Sequence, residues 1–134
     1  MIKKIISNYH AISLVFIMLL VASCAKDDST GPGSEERDKY VGSWTCKETP
    51  AGQPSSTFTI NIIKSGSSDT LLVQNFNQLG NSTQAIWLVA DVSITIPNQT
   101  ITAVEVIGTG FYSNDKLELN YSADSDQLTA VCTR

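Results

Sequence analysis

An alternation of apolar and polar residues over the C-terminal two thirds of the chain constrains its fold more than any other feature. Phe58, Ile60 and Ile62, for example, are separated by Thr59 and Asn61. The same period occurs in residues 91–96, 117–121 and 127–132. Successive side chains of a β-strand point to opposite faces, so a period of two is typical of strands with one buried face. No helical period accompanies it, and we predict an all-β domain.

Residues with turn-forming composition separate the strand-like segments. They form the stretches 64–69 (KSGSSD), 113–115 (SND) and 124–126 (DSD). Pro97-Asn98 suits the centre of a tight turn, because proline fixes φ and asparagine tolerates a positive φ. Residues 85–90 (AIWLVA) are apolar on both faces, which predicts that this strand is the best covered of the fold. We predict about eight strands, at residues 41–48, 56–64, 70–76, 84–90, 92–96, 100–107, 116–122 and 127–133.

Eight short strands in an open sheet would leave exposed edges. Closure removes these edges, so the predicted fold is a small antiparallel up-and-down barrel of about eight strands. The first and last strands of such a barrel are neighbours. Cys46 lies in the first predicted strand and Cys132 in the last, which places the two thiols near each other.

The first 23 residues have the layout of a secretory signal peptide. Lys3 and Lys4 precede an apolar run over residues 11–22 that only Ser13 interrupts. A transmembrane helix is the alternative, but it needs about 20 apolar residues to cross the bilayer core. We therefore expect a cleaved leader and an exported protein.

Residues 21–24 (VASC) resemble the lipobox of bacterial lipoproteins, although Val21 stands where leucine is most common. The resemblance implies that Cys24 is lipidated and that the protein is held to a membrane by its N-terminal lipid. Lys26, Asp27 and Asp28 resemble the lipoprotein export signal of Bacteroidetes. That resemblance implies an outer-membrane lipoprotein facing the medium, with the periplasmic leaflet as the alternative.

Composition divides the chain into three parts: a signal peptide (1–23), the lipidated cysteine with a flexible tether (24–39), and the β-barrel domain (40–134). Serine, glycine, proline and charged residues dominate the tether, so it has too little apolar surface to order itself. As a flexible coil of about 15 residues it would span roughly 20 Å and raise the domain above the membrane.

Charge and histidine content exclude several classes of function. The chain has 9 Lys+Arg and 13 Asp+Glu, and cleavage removes Lys3 and Lys4 and no acidic residue, so 7 against 13 leaves a net charge of −6. Nucleic-acid binding depends on clustered basic residues, so we expect no nucleic-acid partner for this acidic chain. The only histidine, His10, leaves with the leader, which excludes histidine-dependent nucleophiles. We predict a non-enzyme without a metal or a cofactor.

The two cysteines of the barrel domain are expected to pair. An even number of cysteines in an exported domain predicts a disulfide, with free thiols as the alternative. A zinc site lacks ligands, because the mature chain has no histidine. A Cys46–Cys132 bond would stabilise the fold by about 4–5 kcal/mol in the chain-entropy account.

Residues 40–44 (YVGSW) contain Gly-x-Trp at the start of the first predicted strand. This resembles the opening motif of lipocalins and of the wider calycin group. The resemblance implies that Trp44 plugs one end of the barrel beneath a basic side chain, for which Arg134 is the candidate. The chain is far shorter than a lipocalin and is more similar to small lipocalin-like lipoproteins of Bacteroidetes.

Two polar segments between predicted strands are candidate partner-binding loops. The first covers residues 49–56, and its two prolines would lower the ordering cost of binding. The second lies around Phe76 and Leu79. Both segments have a plain alternative as connectors, with Phe76 and Leu79 capping the core. The candidate contact residues are Thr49, Pro50, Gln53, Pro54, Phe76 and Leu79.

Three functions are consistent with these features. The first is a non-enzymatic surface module that binds a macromolecule through loops at one barrel end. The second is an inhibitor of secreted proteases, because the chain is similar in size, anchor and barrel to the potempins. The third is a carrier of a small apolar ligand, which a lumen pocket of several hundred Å³ would favour and bulky inward side chains would oppose.

Overall fold

The computed structural model describes residues 36–134. Within them, eight antiparallel strands form one closed barrel, in which each strand pairs with its neighbours in the chain and the last pairs with the first. The predicted all-β up-and-down barrel is confirmed. The strands are β1 (Gly42–Pro50), β2 (Ser56–Lys64), β3 (Thr70–Gln74), β4 (Gln84–Ala90), β5 (Ser93–Ile101), β6 (Val104–Ser113), β7 (Lys116–Ala123) and β8 (Asp126–Thr133).

The seam between β1 and β8 is fixed covalently. Cys46 stands opposite Cys132 in this ladder, and their sulfur atoms form a disulfide bond. The predicted pairing is confirmed. The bond closes a loop with a sequence separation of 86 residues.

Inward side chains fill the lumen of the barrel. The alternation predicted from the sequence is observed, since buried residues alternate with more exposed ones along β4 and β7 and along β1 and β8 except at strand ends. Trp87 is fully buried, so it belongs to the core rather than to a surface patch. The largest fully buried side chains are Trp44, Trp87, Tyr40, Phe76, Ile60 and Ile62.

The prediction of a turn at Pro97-Asn98 is wrong. Strand β5 continues through both residues, and the chain reverses at Thr102 and Ala103, whose φ angles are +48° and +69°. The β5–β6 ladder shifts register between Ile96 and Gln99, which marks a bulge that accommodates the proline. Neither Thr102 nor Ala103 is a usual residue for a positive φ, so the sequence carries no local signal for this turn.

The side chain of Gln99 connects β5 to β4 beside this bulge. Its amide donates to the carbonyl of Ile86 at 2.7 Å and accepts from the Ile86 N–H at 2.8 Å. These bonds stand where β4 and β5 no longer pair through their main chains.

The prediction that residues 85–90 form the best-covered strand is also wrong. Ala85, Trp87 and Val89 point inward, whereas Ile86 and Leu88 on the outer face are 42% and 37% exposed. A short apolar run does not distinguish a strand buried on one face from one buried on two.

Two glycines let β6 approach β7 closely. A Cβ atom on Gly108 would lie 2.3 Å from the Tyr121 Cβ, and one on Gly110 would lie 2.5 Å from the Leu119 Cδ2. Glycine in a strand interior is typical of a barrel wall that bends sharply. Their absent side chains leave space for the inward residues of β7.

The described residues include no helix with the length and apolar character needed to span a membrane. The predicted leader and the predicted lipidation and export residues, Cys24, Lys26, Asp27 and Asp28, lie outside the described residues.

Candidate binding face at the far end of the barrel

The barrel has two ends, which carry different parts of the chain. The N-terminal end, as we name it, carries residues 36–41, the connections 65–69, 91–92 and 114–115, and Arg134. The far end carries the loop 51–55, the segment 75–83, and the turns 102–103 and 124–125. We call residues 75–83 the cover segment.

An aromatic plug closes the N-terminal end. Trp44 is fully buried, and its indole N–H donates to the carbonyl of Tyr40 at 2.7 Å. The Arg134 Cζ lies 4.4 Å from the centroid of the Trp44 ring, and its guanidinium donates to the carbonyls of Lys39 and Val41. The structure therefore brings together the two residues that the calycin resemblance pairs.

Residues 36–39, which the sequence analysis assigns to the tether, pack against the N-terminal end of the barrel through Arg37. Arg37 is only 7% exposed. Its guanidinium donates to three main-chain carbonyls of the β2–β3 connection: Ser65 at 2.8 Å, Ser67 at 2.5 Å and Thr70 at 3.1 Å. The charged composition of this stretch suggested a solvated spacer, because composition does not reveal carbonyls that converge on one arginine.

The first predicted binding loop is exposed but shorter than expected. Thr49 and Pro50 are the last residues of β1, and Ser56 begins β2, so the loop comprises residues 51–55. All five loop residues, which include Gln53 and Pro54, are exposed. Two hydrogen bonds restrain the first half of the loop, from the Ala51 N–H to the Gln127 carbonyl at 2.9 Å and from the Gln53 N–H to the Pro50 carbonyl at 3.1 Å.

The second predicted loop covers the core. Phe76 begins a 3₁₀ turn (Phe76–Gln78) and is 2% exposed, with its ring centroid 5.4 Å from Trp87 and 4.7 Å from Tyr121. Leu79 is half-buried and packs against the same core. The prediction of Phe76 as a contact residue is therefore wrong, because its ring fills the lumen.

A buried carboxylate lies beneath the cover segment. Glu48 points inward from β1 and is 3% exposed. It accepts hydrogen bonds from the Tyr121 hydroxyl and, at 3.4 Å, from the Gln78 amide. Burial first, and the neighbouring Glu48 carboxylate second, raise the pKa of Tyr121.

The cover segment supplies polar side chains to this cluster. Asn77 Oδ1 lies 3.2 Å from the Tyr121 hydroxyl, and the Gln78 amide donates to the Ser56 hydroxyl at 2.8 Å. Sequence reasoning missed Glu48. A signal existed, since Glu48 continues the inward series of Trp44 and Cys46 at a period of two.

A cleft of about 330 Å³ lies beside the loop 51–55, on the outer side of the wall. Three outward residues in register across β1, β8 and β7 line it, namely Thr49, Thr129 and Asn120. Pro50, Ala51, Gly52, Gln127 and Leu128 complete the lining. None of these residues is charged. The cleft depends on the register of distant strands and has no local sequence signal.

Within residues 36–134, no group of three or more His, Cys, Asp or Glu side chains is placed to hold a metal ion. No protein-family model matches the chain, and comparisons with curated proteins and with solved structures give no match. Function is therefore inferred from the fold and from the side chains of the far end.

Proposed function

We propose that this protein is a lipid-anchored, surface-exposed binding module without enzymatic activity, which holds a macromolecular partner at the far end of its barrel. One observation carries the proposal. The chain enters the barrel at the N-terminal end through Arg37, whereas the loop 51–55 and the cleft lie at the opposite end. A lipid on Cys24 would keep the N-terminal end toward the membrane.

The length of the barrel would hold the far end away from the membrane in this orientation. A strand of nine residues, such as β1, extends about 30 Å along its own axis and somewhat less along a tilted barrel axis. The tether predicted from the sequence would add to this distance. The far end would stand tens of ångströms above the headgroups, where a large partner reaches it.

The loop 51–55 has the properties of a preformed contact. Pro50 precedes the loop and Pro54 lies within it, and the first loop residue, Ala51, extends the hydrogen bonding between β1 and β8. The Cys46–Cys132 disulfide fixes the same two strands. A restrained loop loses less conformational entropy on binding than a mobile one.

The acidic and phenolic groups of the far end support a binding role rather than a catalytic one. Glu48 and Tyr121 are each 3% exposed, and the Tyr121 hydroxyl donates a hydrogen bond to the Glu48 carboxylate beneath the cover segment. A general acid or base must reach its substrate within hydrogen-bonding distance, and these two groups are covered.

Site-specific photo-crosslinking on intact cells tests the proposal. A photoreactive side chain at Gln53 samples the far end, and the same side chain at Asn114 samples an exposed turn of the N-terminal end. We expect a discrete adduct from position 53 and none from position 114. Equal labelling from both positions, or none from position 53, would contradict a partner at the far end. Antibody labelling of unpermeabilised cells separates surface display from the periplasmic alternative.

Inhibition of a secreted protease is the second candidate, and the loop 51–55 favours it. An exposed, restrained segment between two strands is the shape that enters a protease cleft with little rearrangement. If the adduct at position 53 is a protease, purified protein should inhibit it. Pro54→Ala should then weaken inhibition, whereas Asn114→Ala should leave it unchanged.

The filled lumen opposes the third function, a small apolar-ligand carrier. Trp44, Trp87 and Phe76 occupy the space that such a ligand would need. The cleft of about 330 Å³ lies outside the wall and has an uncharged polar floor.

A further inference from the structure

A row of uncharged polar side chains crosses the outer wall at the level of the cleft. Thr49 pairs with Thr129, Thr129 with Asn120, Asn120 with Thr109, and Thr109 with Thr95. We call these five residues the polar row; all five are exposed, and they lie on β1, β8, β7, β6 and β5. Neighbouring strands are about 4.8 Å apart, so the row presents a polar group at regular intervals.

The hydrogen-bonding groups of the row are available to a ligand. None of its side chains makes a hydrogen bond to another of the described residues, and neither does the amide of Gln127 at its edge. Some other amide side chains of the barrel, such as those of Asn75 and Gln99, are instead bound within the chain. The row and its edge therefore combine hydroxyls, which donate and accept, with the amides of Asn120 and Gln127, which do both through separate atoms.

Charge is absent from the cleft although the chain is acidic. Along β1 and β7, the next outward residues are Lys47 and Glu118, on the side away from the loop 51–55. On β8, Val131 lies between them at 44% exposure. An anionic or cationic ligand would therefore find no opposite charge in the cleft itself.

We propose that the cleft and the adjoining polar row bind a neutral, hydroxyl-rich glycan chain. The inference rests on the proposed function, since it names the chemical class of the partner held near the far end. Amides and hydroxyls at regular intervals match the paired hydroxyls of successive sugar units, which also donate and accept. Pro50, which is half-buried at the rim of the cleft, adds apolar surface for the C–H face of a sugar.

A peptide ligand fits these observations less well. The barrel is closed, so every strand has a neighbour on each side. Where the main chains of β4 and β5 stop pairing, the Gln99 amide occupies the Ile86 N–H and carbonyl, so an extended peptide would have no complete strand edge to join. Protein interfaces also rely on buried tryptophan, tyrosine and arginine anchors, and the lining of the cleft contains none of them.

Binding of defined oligosaccharides to the mature protein tests the proposal. The probes are short neutral glucans, mannans and galactans, neutral oligosaccharides released from glycoproteins, and uronic-acid chains of matched length. The first two groups distinguish a polysaccharide source from a glycoprotein source. We expect at least one neutral chain to bind, and the acidic chains to bind at least about tenfold more weakly because the cleft holds no cation.

Substitutions within the row locate the binding. Asn120→Ala and Gln127→Ala should each raise the Kd about fivefold, since each removes a hydrogen bond to the ligand. Thr49→Val should do the same while keeping the shape of the side chain. Thr45→Val is the matched control, because Thr45 also points outward from β1 but lies four positions from the cleft. Thermal unfolding checks that all four variants fold.

The outcomes separate this inference from the proposed function. Absence of binding to every neutral chain, or equal effects of Thr49→Val and Thr45→Val, would overturn the glycan assignment. If crosslinking at position 53 still captures a protein, the proposal of a binding module is supported and only the glycan assignment is overturned. If neither experiment gives a ligand, both proposals fail.

Discussion

At the N-terminal end of the barrel, cationic side chains bind main-chain carbonyls around a tryptophan, whereas at the far end side-chain amides cover a buried carboxylate. Arg37 and Arg134 between them contact five carbonyls. Glu48 instead depends on Tyr121 and Gln78. The first arrangement joins segments that are distant in sequence, and the second closes the lumen with one surface segment.

Left-handed residues occur at both ends but are distributed differently. At the N-terminal end Asp91, Asn114 and Asp115 lie in two tight turns between paired strands, whereas at the far end three such residues fall in one short segment. In the cover segment Asn75, Asn77 and Gln78 have φ angles of +58°, +52° and +59°. Left-handed conformations of residues other than glycine cost roughly 1 kcal/mol or more each, and other contacts must offset that cost. We therefore expect the cover segment to open at lower free energy than the N-terminal end, which should open only with the whole barrel.

Removal of the aromatic plug should have the largest effect. Trp44→Ala should lower the free energy of unfolding by about 3–5 kcal/mol, because it leaves a cavity and removes the contact with Arg134. Phe111→Ala is the control, since Phe111 is 42% exposed on the outer wall and should cost far less. Urea denaturation measures both. A similar small loss in the two variants would show that the plug does not carry the stability of that end.

Loss of the Arg37 contacts should have the next largest effect. Arg37→Gln should cost about 2–3 kcal/mol, because three carbonyls lose a charged donor. Lys39→Gln should cost less than about 1 kcal/mol, because Lys39 makes only a surface ion pair with Asp91 and contacts two tyrosine rings. The same denaturation experiment compares them. If the two losses are equal, residues 36–39 act as a spacer after all.

At the far end, Tyr121→Phe should cost about 1–3 kcal/mol, because the buried Glu48 carboxylate loses a donor. Tyr112→Phe is the matched control, since the Tyr112 hydroxyl bonds to an exposed Asp115 carboxylate and water replaces that bond. Hydrogen exchange should show faster exchange in the cover segment of Tyr121→Phe than in the wild type. Exchange that accelerates equally at the N-terminal end would contradict separate behaviour of the two ends.

High pH should lower the free energy of unfolding through one buried tyrosine at each end of the barrel. Burial, reinforced by Asp91, raises the pKa of Tyr40 to about 12, and burial beside Glu48 raises the pKa of Tyr121. In the unfolded chain both phenols titrate near a pKa of about 10. The fold favours their neutral form, so this stability is present below about pH 10 and is lost as pH rises toward the folded pKa values.

The free energy of unfolding, measured from pH 8 to pH 12, should fall steeply above about pH 10. Tyr40→Phe should reduce that slope, and so should Tyr121→Phe. An unchanged slope in both variants would assign the alkaline loss to other groups.

The smallest effect should come from the exposed loop of the far end. Gln53→Ala should change the free energy of unfolding by less than about 0.5 kcal/mol, because Gln53 is exposed and contributes only its main-chain N–H to the loop. The same substitution should weaken the proposed partner interaction. A large loss of stability would mean that the loop supports the barrel rather than recognition.

The sequence predicted the features that rest on local pattern or on topology. Alternation predicted the strands, and closure of eight strands placed Cys46 beside Cys132. The reversal at Thr102 and Ala103 was missed because neither residue has turn chemistry. The inward position of Glu48 was not predicted, although the period of two in β1 indicates it.

Other features could not be read from the sequence, because they arise from contacts between distant segments. Arg37 is buried by carbonyls of the β2–β3 connection, about thirty positions along the chain. The cleft requires Thr49, Thr129 and Asn120 to stand side by side, which only the register of three strands decides. Single-sequence patterns describe one strand at a time, so they carry no such information.

The closure of the ladder would limit aggregation of copies that are anchored to one membrane. A lipid on Cys24 would confine many copies to two dimensions, where neighbours collide far more often than in solution. Open sheets at that density tend to join edge to edge into ordered aggregates. Here the pairing of β8 with β1 leaves no unpaired edge strand in the barrel, so lateral clustering would have to run through side chains such as Ile107 and Phe111.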